Sequence, residues 1–149
     1  MKKLSETYKE LGIAFSFPIR IRDANGKDTY YENSNGYWAR SEYDSDNNET
    51  YYENSNGDWA RSEYDSDNNE TYRESSNGDW VKWEYDADGN VTYRENSNGD
   101  WSTWEHDANG EETYRESSNG IKEGTPRSAK TCEGKVVEVD GIKYKLKAL

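Results

Sequence analysis

Thr50-Tyr-Tyr-Glu-Asn-Ser-Asn-Gly-Asp-Trp-Ala-Arg-Ser-Glu-Tyr-Asp, ending at Asp65, is the stretch whose reading decides the fold. Tyr, Trp and Thr favour strands, and no helical period runs through it. Asn56-Gly57 suits the positive backbone angles of a tight hairpin turn. The stretch is not unique. Asn-Gly recurs at Asn35-Gly36, Asn77-Gly78, Asn98-Gly99 and Asn119-Gly120, each step being 21 residues. A second cluster keeps the same period, with Asp23, Asp44, Asp65, Asp86 and Asp107 each opening a short polar run. Asp and Asn there bond their own backbone and tolerate the left-handed region.

Each repeat therefore reads turn, strand, turn, strand. One strand runs from Trp38, Trp59, Trp80 or Trp101 to Tyr43, Tyr64, Tyr85 or His106; the other is Thr-Tyr-x-Glu, as at Thr50 to Glu53. The expected class is mainly β: tandem hairpins in an elongated antiparallel meander sheet, with a β-solenoid as the alternative. Trp59 and Tyr64 are five apart, so either both faces of the sheet carry aromatic rings or a bulge intervenes. The first case puts Trp59, Arg61 and Glu63 on one face and Ala60, Ser62 and Tyr64 on the other.

The flanks differ in kind, which divides the chain into an N-terminal cap (1–22), five repeats (23–120) and a C-terminal cap (121–149). Leu4, Tyr8 and Leu11 share a helical face that Gly12 ends. Ile13, Phe15, Phe17, Ile19 and Ile21 then alternate as a strand, with Pro18 marking a sheet edge. Lys135 to Leu146 reads as a hairpin about Asp140-Gly141, with Glu138 opposite Lys143.

The composition is polar: 30% hydrophobic, net charge −12, yet 14% aromatic. Low hydrophobicity with high charge predicts disorder, and abundant Trp and Tyr contradict it. Within 23–120 the aliphatic residues larger than Ala are Val81 and Val91, so any core there must be aromatic, with rings of successive repeats in register. That segment holds 25 acidic and 7 basic side chains, net −18, between flanks at +6. Such charge argues against direct binding to nucleic acid or to an anionic membrane. Stacked repeats turn Glu42, Glu63, Glu84 and Glu105 into a ladder of carboxylates. Asp44, Asp65, Asp86 and Asp107 form a second and Asp58, Asp79 and Asp100 a third.

Catalytic signals are weak. His106 stands where other repeats have Tyr, Cys132 has no nearby base, and no phosphate-cradling or nucleophile motif occurs. Asp44-Ser-Asp-Asn-Asn and Asp86-Ala-Asp-Gly-Asn open like calcium loops, but the twelfth positions hold Ser55 and Ser97 rather than Glu. No metal, cofactor or enzymatic activity is expected. The single Cys and the absence of an apolar leader fit a reducing cytoplasm.

The quoted run resembles a tandem repeat of small phage and prophage proteins. Thr131-Cys-Glu-Gly-Lys-Val-Val-Glu-Val-Asp-Gly-Ile-Lys-Tyr-Lys-Leu resembles a recurrent ending of phage proteins. That resemblance implies a non-enzymatic inhibitor of host defence, anti-CRISPR-like or a DNA mimic, acting in the cytoplasm of an infected bacterium. Its partner would be a defence protein or ribonucleoprotein complex with a basic groove. The three acidic series would meet that groove, with Trp59, Trp80, Trp83, Trp101 and Trp104 as anchors. The alternatives are an aromatic ligand- or carbohydrate-binding module and a structural phage protein. Free edge strands also favour a homodimer.

Overall fold

The computed structural model describes residues 2–126, 136–139 and 142–145. Helix α1 (Leu4–Glu10) precedes eleven strands: β1 (Ile19–Arg22), β2 (Asp28–Glu32), β3 (Trp38–Tyr43), β4 (Glu49–Asn54), β5 (Trp59–Tyr64), β6 (Glu70–Ser75), β7 (Trp80–Tyr85), β8 (Val91–Asn96), β9 (Trp101–His106), β10 (Glu112–Ser117) and β11 (Lys122–Gly124). They form one antiparallel sheet in sequence order, so the meander holds and the solenoid does not. At about 4.8 Å per strand the sheet is about 48 Å across. A separate pair, β12 (Val136–Val139) and β13 (Ile142–Lys145), sets Glu138 opposite Lys143, as the spacing predicts. Cys132 and the Asp140-Gly141 turn lie outside the described residues.

Both kinds of hairpin turn are built alike. The amide of the fourth turn residue bonds the carbonyl of the first, as Gly57 to Asn54 and Asn47 to Asp44. Where the first residue is Asn or Asp its side chain accepts two further amides: Asn56 and Asp58 donate to Asn54 Oδ1, and Asp46 and Asn48 donate to Asp44 Oδ1; in the turns opened by Ser75 and Ser117 the acceptors are Asn77 and Asn119 instead. The fourth residue has positive φ, 89° at Gly57 and 68° at Asn47. This corrects the expected Asn-Gly turn. The asparagine keeps a negative φ, and the loop is a three-residue hairpin whose last position alone is left-handed. Successive turns on the Asp side are tied by side chains, Asn25 to Asn47 at 2.7 Å and Asn48 to Asn68 at 2.8 Å.

A β-bulge lies in the second strand of each repeat. Tyr64 opposes Glu70 and Glu63 opposes Tyr72, so Thr71 is the extra residue, and its hydroxyl bonds the Glu63 carbonyl at 3.2 Å. The same shift occurs at Glu42/Tyr43 and Glu84/Tyr85 and between Glu112 and Tyr114. The first strand stays regular. Hence Trp59 and Tyr64 do lie on opposite faces, and both faces carry rings.

The register sets the order of side chains across the sheet. On the face bearing Trp59, hereafter face A, one row runs Glu42, Tyr51, Arg61, Glu74, Trp80 through β3 to β7. The next runs Glu63, Tyr72, Lys82, Glu95, Trp101. Each row starts one repeat later and two residues further along the strand. Equivalent side chains are therefore about 12 Å apart, from two strand spacings and two residue rises. This overturns the expected carboxylate ladders. No acidic residue faces another across the described strands: Tyr51 and Arg61 separate Glu42 from Glu63, Tyr72 and Lys82 separate Glu63 from Glu84, and Tyr93 and Thr103 separate Glu84 from Glu105. Rings of successive repeats do not stack as an aromatic core either. Instead Trp80 stacks on Tyr72, with centroids 6.4 Å apart, and Arg40, Arg61 and Lys82 sit 5.4–5.9 Å from the rings of Tyr51, Tyr72 and Tyr93. Cross-strand neighbours of this kind contribute about 0.2–1 kcal/mol each.

Among the described residues the buried hydrophobic ones are Ile19 and Tyr30, both at the N-terminal end of the sheet. There α1 is held to face A by Glu32, which is 1% exposed. Its carboxylate accepts the Ser5 amide at 3.0 Å, the Ser5 hydroxyl, and the Tyr30 hydroxyl at 2.9 Å. Lys3 makes no side-chain cap, so the sheet supplies the helix with its missing acceptor. The strand expected from Ile13 begins only at Ile19, because Pro18 has no amide for a ladder. Phe15 instead packs between Tyr8 and Phe17, with centroids at 5.8 and 5.4 Å.

Gly57→Ala meets no neighbour but forces a side chain into the left-handed region, so urea unfolding should show a loss of about 1–2 kcal/mol. Burial alone would raise the Glu32 pKa, but the Ser5 and Tyr30 hydrogen bonds and the Lys3 charge together hold it below 4.5. The stabilisation is thus present above pH 4.5 and lost as pH falls through the depressed value. Exchange protection of the Ser5 amide, followed against pH, should disappear in that window while that of the β7–β8 amides persists.

Candidate interaction surface

Sorting the strand side chains by register gives the sheet two different faces. From β3 to β10, face A carries eight glutamates (Glu42, Glu53, Glu63, Glu74, Glu84, Glu95, Glu105, Glu116) against Arg40, Arg61 and Lys82. Trp38, Trp59, Trp80 and Trp101 stand on the same face along one margin. The opposite face, face B, balances Glu49, Glu70 and Glu112 with Arg73, Arg94 and Arg115. It also carries Trp83 and Trp104.

The sequence-predicted site residues are accordingly divided. Glu42, Glu63, Glu84 and Glu105 share face A with Trp59, Trp80 and Trp101. Trp83 and Trp104 lie on the other side of the sheet. Asp58, Asp79 and Asp100 sit in the loops at one end of the strands, and Asp44, Asp65 and Asp86 in the loops at the other. A single flat partner cannot touch all four groups.

Within face A the charges are partly neutralised. Arg61 pairs with Glu74 at 3.0 Å, Arg40 with Glu53 at 3.2 Å and with Glu42 at 3.4 Å, and Lys82 with Glu84 at 2.9 Å. The Tyr51, Tyr93 and Tyr114 hydroxyls donate to Glu53, Glu95 and Glu116, two residues on. These four half-buried glutamates, Glu53, Glu74, Glu95 and Glu116, were not among the predicted site residues. The Tyr-x-Glu spacing placed them there, since residues two apart share a face. Glu63 makes no ion pair among the described residues and is exposed. A shallow depression of about 300 Å³ lies beside it, lined by Arg61, Tyr72 and Lys82.

The loop aspartates have another occupation. Asp65 accepts the amides of Asp67 and Asn69 and the Asn69 side chain, at 2.9–3.1 Å. The Asn69 amide, its side chain and the Asp67 amide hold the Asp65 carboxyl below the usual range, against a small opposing effect of burial. Asp44 and Asp86 are arranged alike and shifted the same way. Their carboxylates shape the turns, and what they present outward is what the turn leaves over. Among the described residues no three His, Cys, Asp or Glu converge as a metal site. Comparison with protein-family models and with curated proteins finds no match.

Charge reversal separates these roles. Asp65→Lys should lower the urea midpoint and narrow the pH range of stability, because a cation cannot accept the turn amides. Glu63→Lys should leave the midpoint within experimental scatter. Equal midpoints for the two variants would contradict the division.

Proposed function

We propose that this chain is a non-enzymatic phage inhibitor that covers a basic nucleic-acid groove of a bacterial defence complex with face A. One observation carries the reading. Eight glutamates and a margin of four tryptophans share one face, while the other face is balanced in charge. A surface of that kind steers a cationic partner and then packs rings against it. The repeated spacing offers the partner the same acid, ring and base several times over. That is how a regular polyanion presents itself to a groove that tracks a backbone. The phage origin and the anti-CRISPR-like or DNA-mimic role rest on the resemblance of the repeat and of the 131–146 segment. The infected bacterial cytoplasm is the corresponding site of action.

The test uses the full chain, immobilised, with lysate of a bacterium carrying a nucleic-acid-guided or DNA-cutting defence. Capture should be released by rising salt and by competing duplex DNA. The Glu42→Lys/Glu63→Lys/Glu84→Lys variant, verified as folded by circular dichroism, should lose at least about tenfold in affinity. Trp83→Ser, on face B, should retain capture. Unchanged capture by the folded triple variant would refute the proposal, as would a complex insensitive to both salt and DNA.

A further inference from the structure

Face B changes character along the sheet, and the changes surround one side chain. Position 94 is Arg, and Arg73 is its equivalent one repeat earlier. Arg73 is paired with Glu70 at 2.9 Å, three residues before it. The residue three before Arg94 is Val91, so the acid is missing. Arg94 is exposed and makes no ion pair, hydrogen bond or cation–π contact among the described residues.

Its neighbours depart from the earlier repeats as well. Trp83, directly opposite on β7, stands where β3 and β5 have Ser41 and Ser62. Ser102, directly opposite on β9, stands where Ala39, Ala60 and Val81 stand in the others. Trp104, two residues beyond Ser102, shares the face diagonally. Both indoles are half-buried and have no ring partner among the described residues. Thus a free guanidinium lies between two open indoles, beside a hydroxyl, at the place where an acid has been removed.

We infer that Trp83, Arg94, Ser102 and Trp104 form a binding site for a carboxylated sugar of the uronate class, independent of the face A reading. A guanidinium recognises a carboxylate through two parallel hydrogen bonds. Indole faces take the apolar face of a ring lying flat on them, and the sheet offers no walls that would demand a compact ligand. Ser102 adds a donor and acceptor for a ring hydroxyl. The charge of the ligand is bounded by the array itself, which at −18 over residues 23–120 repels a polyanionic chain more than a short uronate.

The experiment titrates the full-length protein, 15N-labelled at its indoles, with a short oligogalacturonide. An uncharged oligogalactoside, a nucleoside monophosphate and an acidic peptide serve as comparisons. The indole signals of Trp83 and Trp104 should move with the uronate, saturably, while those of Trp38 and Trp59 stay in place. Val91→Glu restores the acid that Glu70 supplies to Arg73, and Arg94→Gln removes the charge. Each should weaken binding by at least about tenfold. Val91→Glu places at 91 the residue that Glu70 and Glu112 supply at the equivalent positions, Arg94→Gln removes the charge at an exposed position, and unperturbed indole signals of Trp38 and Trp59 report that both variants remain folded. Glu42→Lys/Glu63→Lys/Glu84→Lys should bind the uronate at least as tightly as the parent does, because it lowers the repulsion of the array, and this keeps the two proposals separable. Shifts with the nucleotide or the peptide but not the uronate would overturn the assignment. So would an absence of shifts, or undiminished binding in Val91→Glu and Arg94→Gln.

Discussion

Strand register is the constraint on which everything else in this molecule depends. A sheet with two wet faces and two buried hydrophobic side chains, Ile19 and Tyr30, has no core to hold its strands in place. What remains is the identity of each cross-strand neighbour, and that is set at the turns. Asx-type acceptors such as Asn54 and Asp65 fix the loops that open on Asn or Asp, the left-handed fourth residue closes every loop, and the Thr bulge adds one residue on a single strand. A slip of one residue would exchange the faces and replace Tyr–Arg–Glu contacts with mismatched ones. The tyrosines at the ends of the first strands reinforce this. The Tyr64 hydroxyl donates to the Glu49 carbonyl at 3.3 Å and Tyr85 to Glu70 at 2.8 Å, each reaching back to the bulged end of the preceding strand.

Much of this was legible in the residues. The 21-residue period gave the strands and their order, and Trp59, Arg61 and Glu63 fell on one face as alternation demands. Gly12 ended the helix where its position suggested. What escaped was whatever depends on pairing between strands. The bulge at Thr71 leaves no local signature, because Thr is an ordinary strand residue. Its consequence, the two-residue offset per repeat, is what separates Glu42 from Glu63 and dissolves the supposed ladders. Trp83 and Trp104 looked like further members of one aromatic series, yet their odd offset from Trp80 and Trp101 sends them to the other face. Glu32 was unreadable for a different reason: its burial comes from a helix that folds back from far along the chain.

The two faces also explain how so acidic a chain remains folded. Equivalent carboxylates about 12 Å apart lie beyond the screening length of about 8 Å at physiological salt, so their repulsion is mild. Diagonal glutamates such as Glu42 and Glu53 come nearer, and there cations and rings lie between them, Arg40 pairing with both at 3.4 and 3.2 Å. Face A can therefore carry a large negative charge without a matching cost in stability, and the loop aspartates add charge while closing turns. The same economy leaves face B free to diverge, and that is where the later repeats depart furthest from the earlier ones.

Because a row such as Glu42, Tyr51, Arg61, Glu74, Trp80 runs through five strands, no hairpin contains a complete set of its own contacts. During synthesis, the contacts of an early repeat are completed only when later repeats have emerged, so folding should lag the growing chain and then advance in steps. For the gene, an in-frame gain or loss of one repeat merges intact half-rows, and the protein can lengthen or shorten in quanta without a new interface being invented.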